Sequence, residues 1–181
     1  MIHAPYFAAG SEEALQAKWA EMEALQASGR VKSIGVSNFM KKDLEIILKT
    51  AKVVPAINQI EYHPYLQHGD LVAYHKEKGI AISAYGPLTA VLKGAPGPLD
   101  ETYAALARKY GVTSGEIALR WVIDQGAVVL TTSSKEDRLR AYQKVGKFKL
   151  TPKEVQTITE IGKQKNFRSF WKDKFDADDW S

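Results

Sequence analysis

The chain contains no cysteine among its 181 residues, which excludes disulfides, thiolate metal centres and a cysteine nucleophile without fixing the compartment. Long apolar runs are missing too. Nothing reaches the length of a membrane span or reads as the core of a secretory signal, so a cytoplasmic protein is the default expectation. Neither a G-x-G-x-x-G turn nor a Walker loop occurs, which lowers the expectation of a nucleotide-binding open sheet. The four histidines show no convincing metal-ligand spacing, and no metal is expected. Charge of one sign is not concentrated: 25 Lys and Arg stand against 21 Asp and Glu, scattered along the chain. That is a solvated surface and gives no nucleic-acid track.

What is present is an alternation of strand-like and helix-like segments along the whole length. Met1 to His3 reads as the end of a strand. A helix capped by Ser11 follows, with Leu15, Trp19, Met22 and Leu25 on one face and Gly29 as its stop. Val31–Val36, Val53–Ile60, Ile80–Ala84 and Ala127–Leu130 read as further strands. Between them lie helices carrying Leu44, Ile47 and Leu48, then one from about Asp70 to Gly79, and two back to back before Gly111 and Gly126. Thr113-Ser114-Gly115-Glu116 and Thr151-Pro152-Lys153-Glu154 are capping boxes. Strands joined by helical crossovers predict an α/β fold with a parallel sheet, either open or curled toward a barrel.

Ligands meet such sheets at the carboxyl ends of the strands. In order, those ends carry His3, then Ser37 and Asn38, Gln59, Tyr85, and Thr131, Thr132 and Ser133. For any one of them a loop polar group satisfying nearby backbone is the simpler reading. Five in register point to a shared site.

The same residues carry a resemblance. Gly29-Arg30-Val31-Lys32-Ser33-Ile34-Gly35-Val36-Ser37-Asn38-Phe39 and Asn58-Gln59-Ile60-Glu61-Tyr62-His63-Pro64-Tyr65 resemble two long, specific segments of the aldo-keto reductases. Ile2-His3-Ala4-Pro5 is similar to the family's strand-four histidine motif, Ile82-Ser83-Ala84-Tyr85-Gly86-Pro87-Leu88 to its strand-seven motif, and Ala118-Leu119-Arg120-Trp121 to a late helix. The resemblance implies a (β/α)8 TIM barrel of which this chain holds strands four to eight with their helices. It makes 1–181 a single partial barrel domain, with 164–181 as its tail. The implied activity is NADPH-dependent reduction of aldehydes or ketones, so a small-molecule carbonyl substrate.

By motif, His3 is the histidine that orients the carbonyl. Ser37, Asn38 and Gln59 would meet the nicotinamide carboxamide, which needs donors and acceptors together. Tyr85 would stack on the nicotinamide ring, its alternative being a core aromatic at the barrel mouth. Ser133, Lys135 and Arg138 would hold the 2′-phosphate, although the family's usual Lys-Ser pair is replaced here by Thr132 and Ser133. NADP is favoured over NAD. His63, Tyr62 and Tyr65 take no catalytic role, and His68 and His75 are expected to be solvated.

In the family the Asp, Tyr and Lys that complete the tetrad lie on strands before the one holding His3, and no stretch of this chain restores them. Reductase activity of the isolated chain is therefore expected to be impaired. Three accounts stay open. The chain is a portion of a longer reductase, or it pairs with a second copy or another chain over the open barrel face, or it is a non-catalytic cofactor-binding or regulatory relative. The aromatic tail (Phe170, Trp171, Trp180) would shape substrate choice or pack outside the barrel.

Overall fold

Capping chemistry sets where the helices begin. In the computed structural model, which describes residues 1–176 and 179–180, helix α1 (Glu12–Ala27) starts where Ser11 Oγ accepts from the Ala14 amide at 3.1 Å. Leu15 and Trp19 are buried, whereas Leu25, at the far end of the same stripe, is exposed. Strand β1 (Val36–Ser37), helix α2 (Lys41–Leu48), strand β2 (Ile57–Glu61), helix α3 (Leu71–Lys78) and strand β3 (Ala81–Tyr85) follow. Then come helices α4 (Asp100–Tyr110) and α5 (Ser114–Asp124), strand β4 (Val128–Val129), and helices α6 (Glu136–Gln143) and α7 (Pro152–Gly162). Both expected capping boxes form, Thr113 with Glu116 and Thr151 with Glu154. Gly79 and Gly111 end α3 and α4 in the left-handed conformation that a side chain would disfavour.

The four strands form one sheet in the order β1-β2-β3-β4. β1 and β2 run parallel, Val36 opposite Asn58 and Ser37 opposite Gln59. Gly35 permits this approach: a Cβ there would lie 2.6 Å from Ile57 Cγ2 and 2.7 Å from its carbonyl oxygen. The strand expected at Met1–His3 is reduced to one parallel bridge, Ile2 to Val36. The Val31–Val36 strand is reduced in the same way, since Val31 is exposed and regular pairing begins only at Val36. Pro55, lacking an N–H, stands in the irregular stretch before Ile57, and backbone bonding to the neighbouring segments begins at Ala56, whose amide donates to the Ile34 carbonyl at 2.9 Å and whose carbonyl accepts from Ala81 at 3.1 Å. Among the described residues, no helix is long and apolar enough to cross a membrane.

The chain divides into two compact units, Met1–Ile60 with Gly69–Ser83, and Glu61–His68 with Ala84–Ser181. In the first, Trp19 donates to the Val53 carbonyl at 3.0 Å and Gln16 to that of Ile46 at 3.1 Å, tying α1 to α2. In the second, α5 is buried along most of its length, and Trp121 Nε1 reaches Thr159 Oγ1 of α7 at 3.1 Å. Ala177, Asp178 and Ser181 of the expected tail lie outside the described residues.

Two histidines depart from expectation. His75 is buried in the first unit, its Nε2 accepting from the Asn58 amide at 3.0 Å. His68 is buried in the second, with Nε2 on the Glu61 carbonyl. Their place in or near a helix suggested solvation, but His75 is packed against the Asn58 amide and His68 against the Glu61 backbone and the Tyr62 ring.

Candidate functional site

In the first unit the polar residues at the strand ends form one connected set. The Ile2 amide donates to the Gly35 carbonyl at 3.0 Å, which docks the amino-terminal segment beside β1 and leaves the His3 side chain exposed at its end. Asn38 Nδ2 donates to the His3 carbonyl at 2.9 Å and to Ser37 Oγ at 3.0 Å. Ser37 Oγ in turn donates to the Gln59 carbonyl at 2.7 Å, and the Asn38 amide donates to the same oxygen at 2.9 Å.

Asn38 holds φ at 57°, a left-handed conformation that asparagine tolerates better than most residues. Buried backbone in a sparsely populated region persists only where the surroundings over-determine it, and such positions cluster at functional sites. The half-buried Gln59 side chain makes no hydrogen bond to the described residues, so its amide offers a donor and an acceptor together. Sequence reasoning singled out His3, Ser37, Asn38 and Gln59, and the structure brings all of them into this one unit.

The second unit holds Tyr85 and the residues after β4. A cavity of about 490 Å³ is lined mainly by apolar groups, among them Tyr85, Leu88, Leu92, Leu130, Thr132 and Phe170. Phe170 meets Tyr85 edge to face, with ring centroids 5.3 Å apart and planes at 85°. Burial first, and then the Glu61 charge, push the Tyr85 phenol above its ordinary value. Tyr85 is thus a weaker acid than free tyrosine, suited to present a ring and not to give up a proton. Thr131 and Thr132 line the same cavity. Ser133 Oγ accepts from the Lys135 amide at 3.0 Å, just before α6, while the Lys135 and Arg138 side chains are exposed. Of the three tail aromatics considered, Phe170 is the one that lines this cavity.

Sequence reasoning missed Glu61. Its carboxylate is buried in the second unit, with Oε1 3.0 Å from His63 Nε2. Oε1 also accepts from the Ser169 amide at 2.8 Å, and Oε2 from the Phe170 amide at 3.0 Å. Burial opposes its ionisation, but the His63 hydrogen bond and these two amides hold its carboxyl below the usual carboxylate range. Burial dominates at His63 and pushes it down, so the pair is a carboxylate beside a neutral imidazole that donates from Nε2. The available signal was a carboxylate at the end of a strand between apolar neighbours, Ile60 and Tyr62.

A nicotinamide dinucleotide asks for partners to a carboxamide, an apolar wall for a flat ring, and donors or cations for phosphate. Within their own units, the open Gln59 amide suits the first, the Tyr85 cavity the second, and Ser133, Lys135 and Arg138 the third. Among the described residues, no group of three or more His, Asp or Glu is placed to hold a metal ion.

Comparison with known proteins shows the family. The sequence profile of the aldo/keto reductase family matches residues 1–163. The NAD/NADP-dependent indole-3-acetaldehyde reductase of Schizosaccharomyces pombe is 34% identical over 174 residues, covering 95% of this chain and 61% of that protein. The NADPH-dependent alpha-keto amide reductase of Saccharomyces cerevisiae is 38% identical over 182 residues, covering 94% and 57%. Among solved structures, an aldo/keto reductase from Brucella melitensis superposes with a TM-score of 0.78 at 34% identity, over 88% of this chain and 59% of that one. A Bombyx mori aldo-keto reductase in complex with NADP gives 0.74 at 34% identity, over 79% and 48%. The chain thus spans 57% to 61% of the length of the two reductases from yeasts.

Proposed function

Because the chain belongs to the aldo/keto reductase family, we propose that it carries the cofactor-facing portion of a carbonyl-reductase site and binds NADPH or NADP. Its strands correspond in this reading to strands four to eight of a (β/α)8 barrel, 1–163 forming the barrel portion and 164–181 the tail. The complete reductase takes a small aldehyde or ketone. The observation that carries the reading is the Gln59 amide, open to a ligand in the residue whose carbonyl accepts from both Ser37 and Asn38.

The bound nicotinamide supplies hydride. Everything else falls to protein groups. Gln59, with Asn38 and Ser37, receives the carboxamide and fixes which face of the ring is presented. Tyr85 offers its ring as a flat wall, and the apolar cavity around it excludes water. Ser133, Lys135 and Arg138 take the 2′-phosphate, which favours NADP over NAD. His3 donates a ring N–H to the carbonyl oxygen and opposes the build-up of charge there. The protonating acid is not among these groups, so the isolated chain binds cofactor with little turnover. That also keeps open a role as a non-catalytic cofactor-binding protein.

Titration of the full chain with NADPH, followed by quenching of tryptophan emission, tests this directly. Saturable quenching is expected, weakened roughly tenfold by Gln59→Leu, which removes both amide partners. Absence of quenching overturns the binding reading. NADPH consumption with a generic aldehyde, lost on His3→Ala, overturns the claim of little turnover.

A further inference from the structure

Glu61 is fully buried, ionised, and used by nothing in the chemistry above. Its two oxygens are instead spent on the backbone of the tail: Oε1 takes the Ser169 amide at 2.8 Å and Oε2 the Phe170 amide at 3.0 Å. Two consecutive peptide N–H groups converging on one carboxylate fix the position and direction of the chain there, because both oxygens must be met at once. The grip is supported from behind by His63 Nε2 on Oε1 at 3.0 Å.

The result of the grip is the seat of Phe170. Its ring meets Tyr85 at 5.3 Å and forms part of the cavity wall. The fit has no slack at the adjoining turn, where a Cβ on Gly86 would lie 3.3 Å from Phe170 Cε2 and 3.5 Å from Glu61 Cγ. Upstream of this point the Phe167 amide donates to the Tyr65 carbonyl at 3.1 Å, and Lys165 Nζ to the Gly94 carbonyl at 2.6 Å. Neither of these contacts reaches Ser169 or Phe170. Thr89 Oγ1 lies 3.3 Å from Ser169 Oγ and Lys93 Nζ 4.7 Å from the centre of the Phe170 ring, but these reach side chains, whereas the Glu61 carboxylate holds the backbone of both residues where the tail passes the cavity.

The geometry points to Glu61 as a positioning residue: through the Ser169 and Phe170 amides it seats Phe170 against Tyr85 and so sets the width of the cofactor cavity. The inference rests on the cofactor reading given above, since the cavity is there assigned to the nicotinamide dinucleotide. Phe170 is the group that touches the ligand, and Glu61 acts through it. A glutamine at this position is nearly isosteric but has one acceptor oxygen where two are needed, and its NH2 group would face an amide donor.

The test compares wild type, Glu61→Gln, Phe170→Ala and the double variant, each as the full chain, by amide hydrogen exchange and by NADPH titration. In Glu61→Gln, exchange at Ser169 or Phe170 is expected to speed up by about tenfold or more, with the amides of α5 unchanged. NADPH binding is expected to weaken several-fold in both variants, with the double variant no weaker than Phe170→Ala alone. Unchanged exchange at both amides overturns the inference, as does full additivity of the two losses. Should Glu61→Gln fail to fold, Phe170→Ala decides, because an NADPH affinity equal to wild type removes the ring from the cavity's function. If wild type binds no NADPH, the cofactor reading falls, and the exchange comparison alone still upholds or rejects the seating of the tail by Glu61.

Discussion

Gly86 stands at φ 63°, one residue after Tyr85, where a Cβ would also meet Thr89 Oγ1 at 3.2 Å. Gly86→Ala is expected to cost about 1–2 kcal/mol from the backbone conformation alone, and more because Phe170 must shift. A fall in the urea midpoint at unchanged slope measures it. The two misjudged histidines make a second prediction. Burial pushes both His68 and His75 down to about 4 from an ordinary value of 6.5. The unfolded chain therefore binds more protons than the folded one below about pH 6.5. Stability is at its full value above that pH and is lost progressively as the pH falls toward 4, on the order of 3 kcal/mol for each ring. Urea midpoints between pH 7.5 and 4.5 should track this loss, and His75→Gln should flatten the dependence; an unaltered slope in that variant would refute the assignment. Neither burial was legible in the sequence, because a histidine beside Lys76 and Glu77 looks solvated until the packing of Asn58 against it is known.

Elements were legible where their signals are local. Ser11, Thr113 and Thr151 fix helix starts through bonds spanning three residues, and such bonds survive whatever the rest of the chain does. The strands are decided by neighbours distant in sequence, so Val31–Val36 and Met1–His3 read longer than they are. Glu154 shows how an element-scale signal can carry more than its local role. It closes the Thr151 capping box, pairs with Lys109 at 2.6 Å and accepts from the Tyr110 hydroxyl at 2.6 Å, joining α7 to α4. Burial opposes its charge, but Lys109, Tyr110 and Thr151 together hold it down to about 2. Thr151→Ala should cost about 1 kcal/mol as a lost cap. Glu154→Ala should cost more, since it also strips Tyr110 and Lys109 of a partner. Equal urea midpoints for the two variants would confine Glu154 to the cap. At the candidate site the same division holds. His3, Ser37, Asn38, Gln59 and Tyr85 could be picked out as candidates from strand ends and motif, whereas the partners of Glu61 are amides more than a hundred residues away.

At the scale of the whole molecule, the sheet order puts β4 at a sheet edge. Val128 on this strand is 53% exposed, Leu130 just beyond it 39%, and Leu139 on α6 41%. No residue of α6 is buried. A terminal strand with unpaired backbone groups and bare branched side chains is a template for pairing with another chain, and natural edges are usually blunted by charge or proline. Nothing of that kind stands within Val128-Val129-Leu130. Self-association through this edge is therefore expected, with the weight-average mass from light scattering rising above the 20.1 kDa of one chain as concentration increases. Apolar contact and strand pairing drive it, so raising the ionic strength should not dissolve it. Val128→Lys places a desolvation cost on the edge itself and should return the mass toward that of one chain. A mass fixed at 20.1 kDa across the concentration range would show that the β4 edge is closed in solution by the chain's own residues.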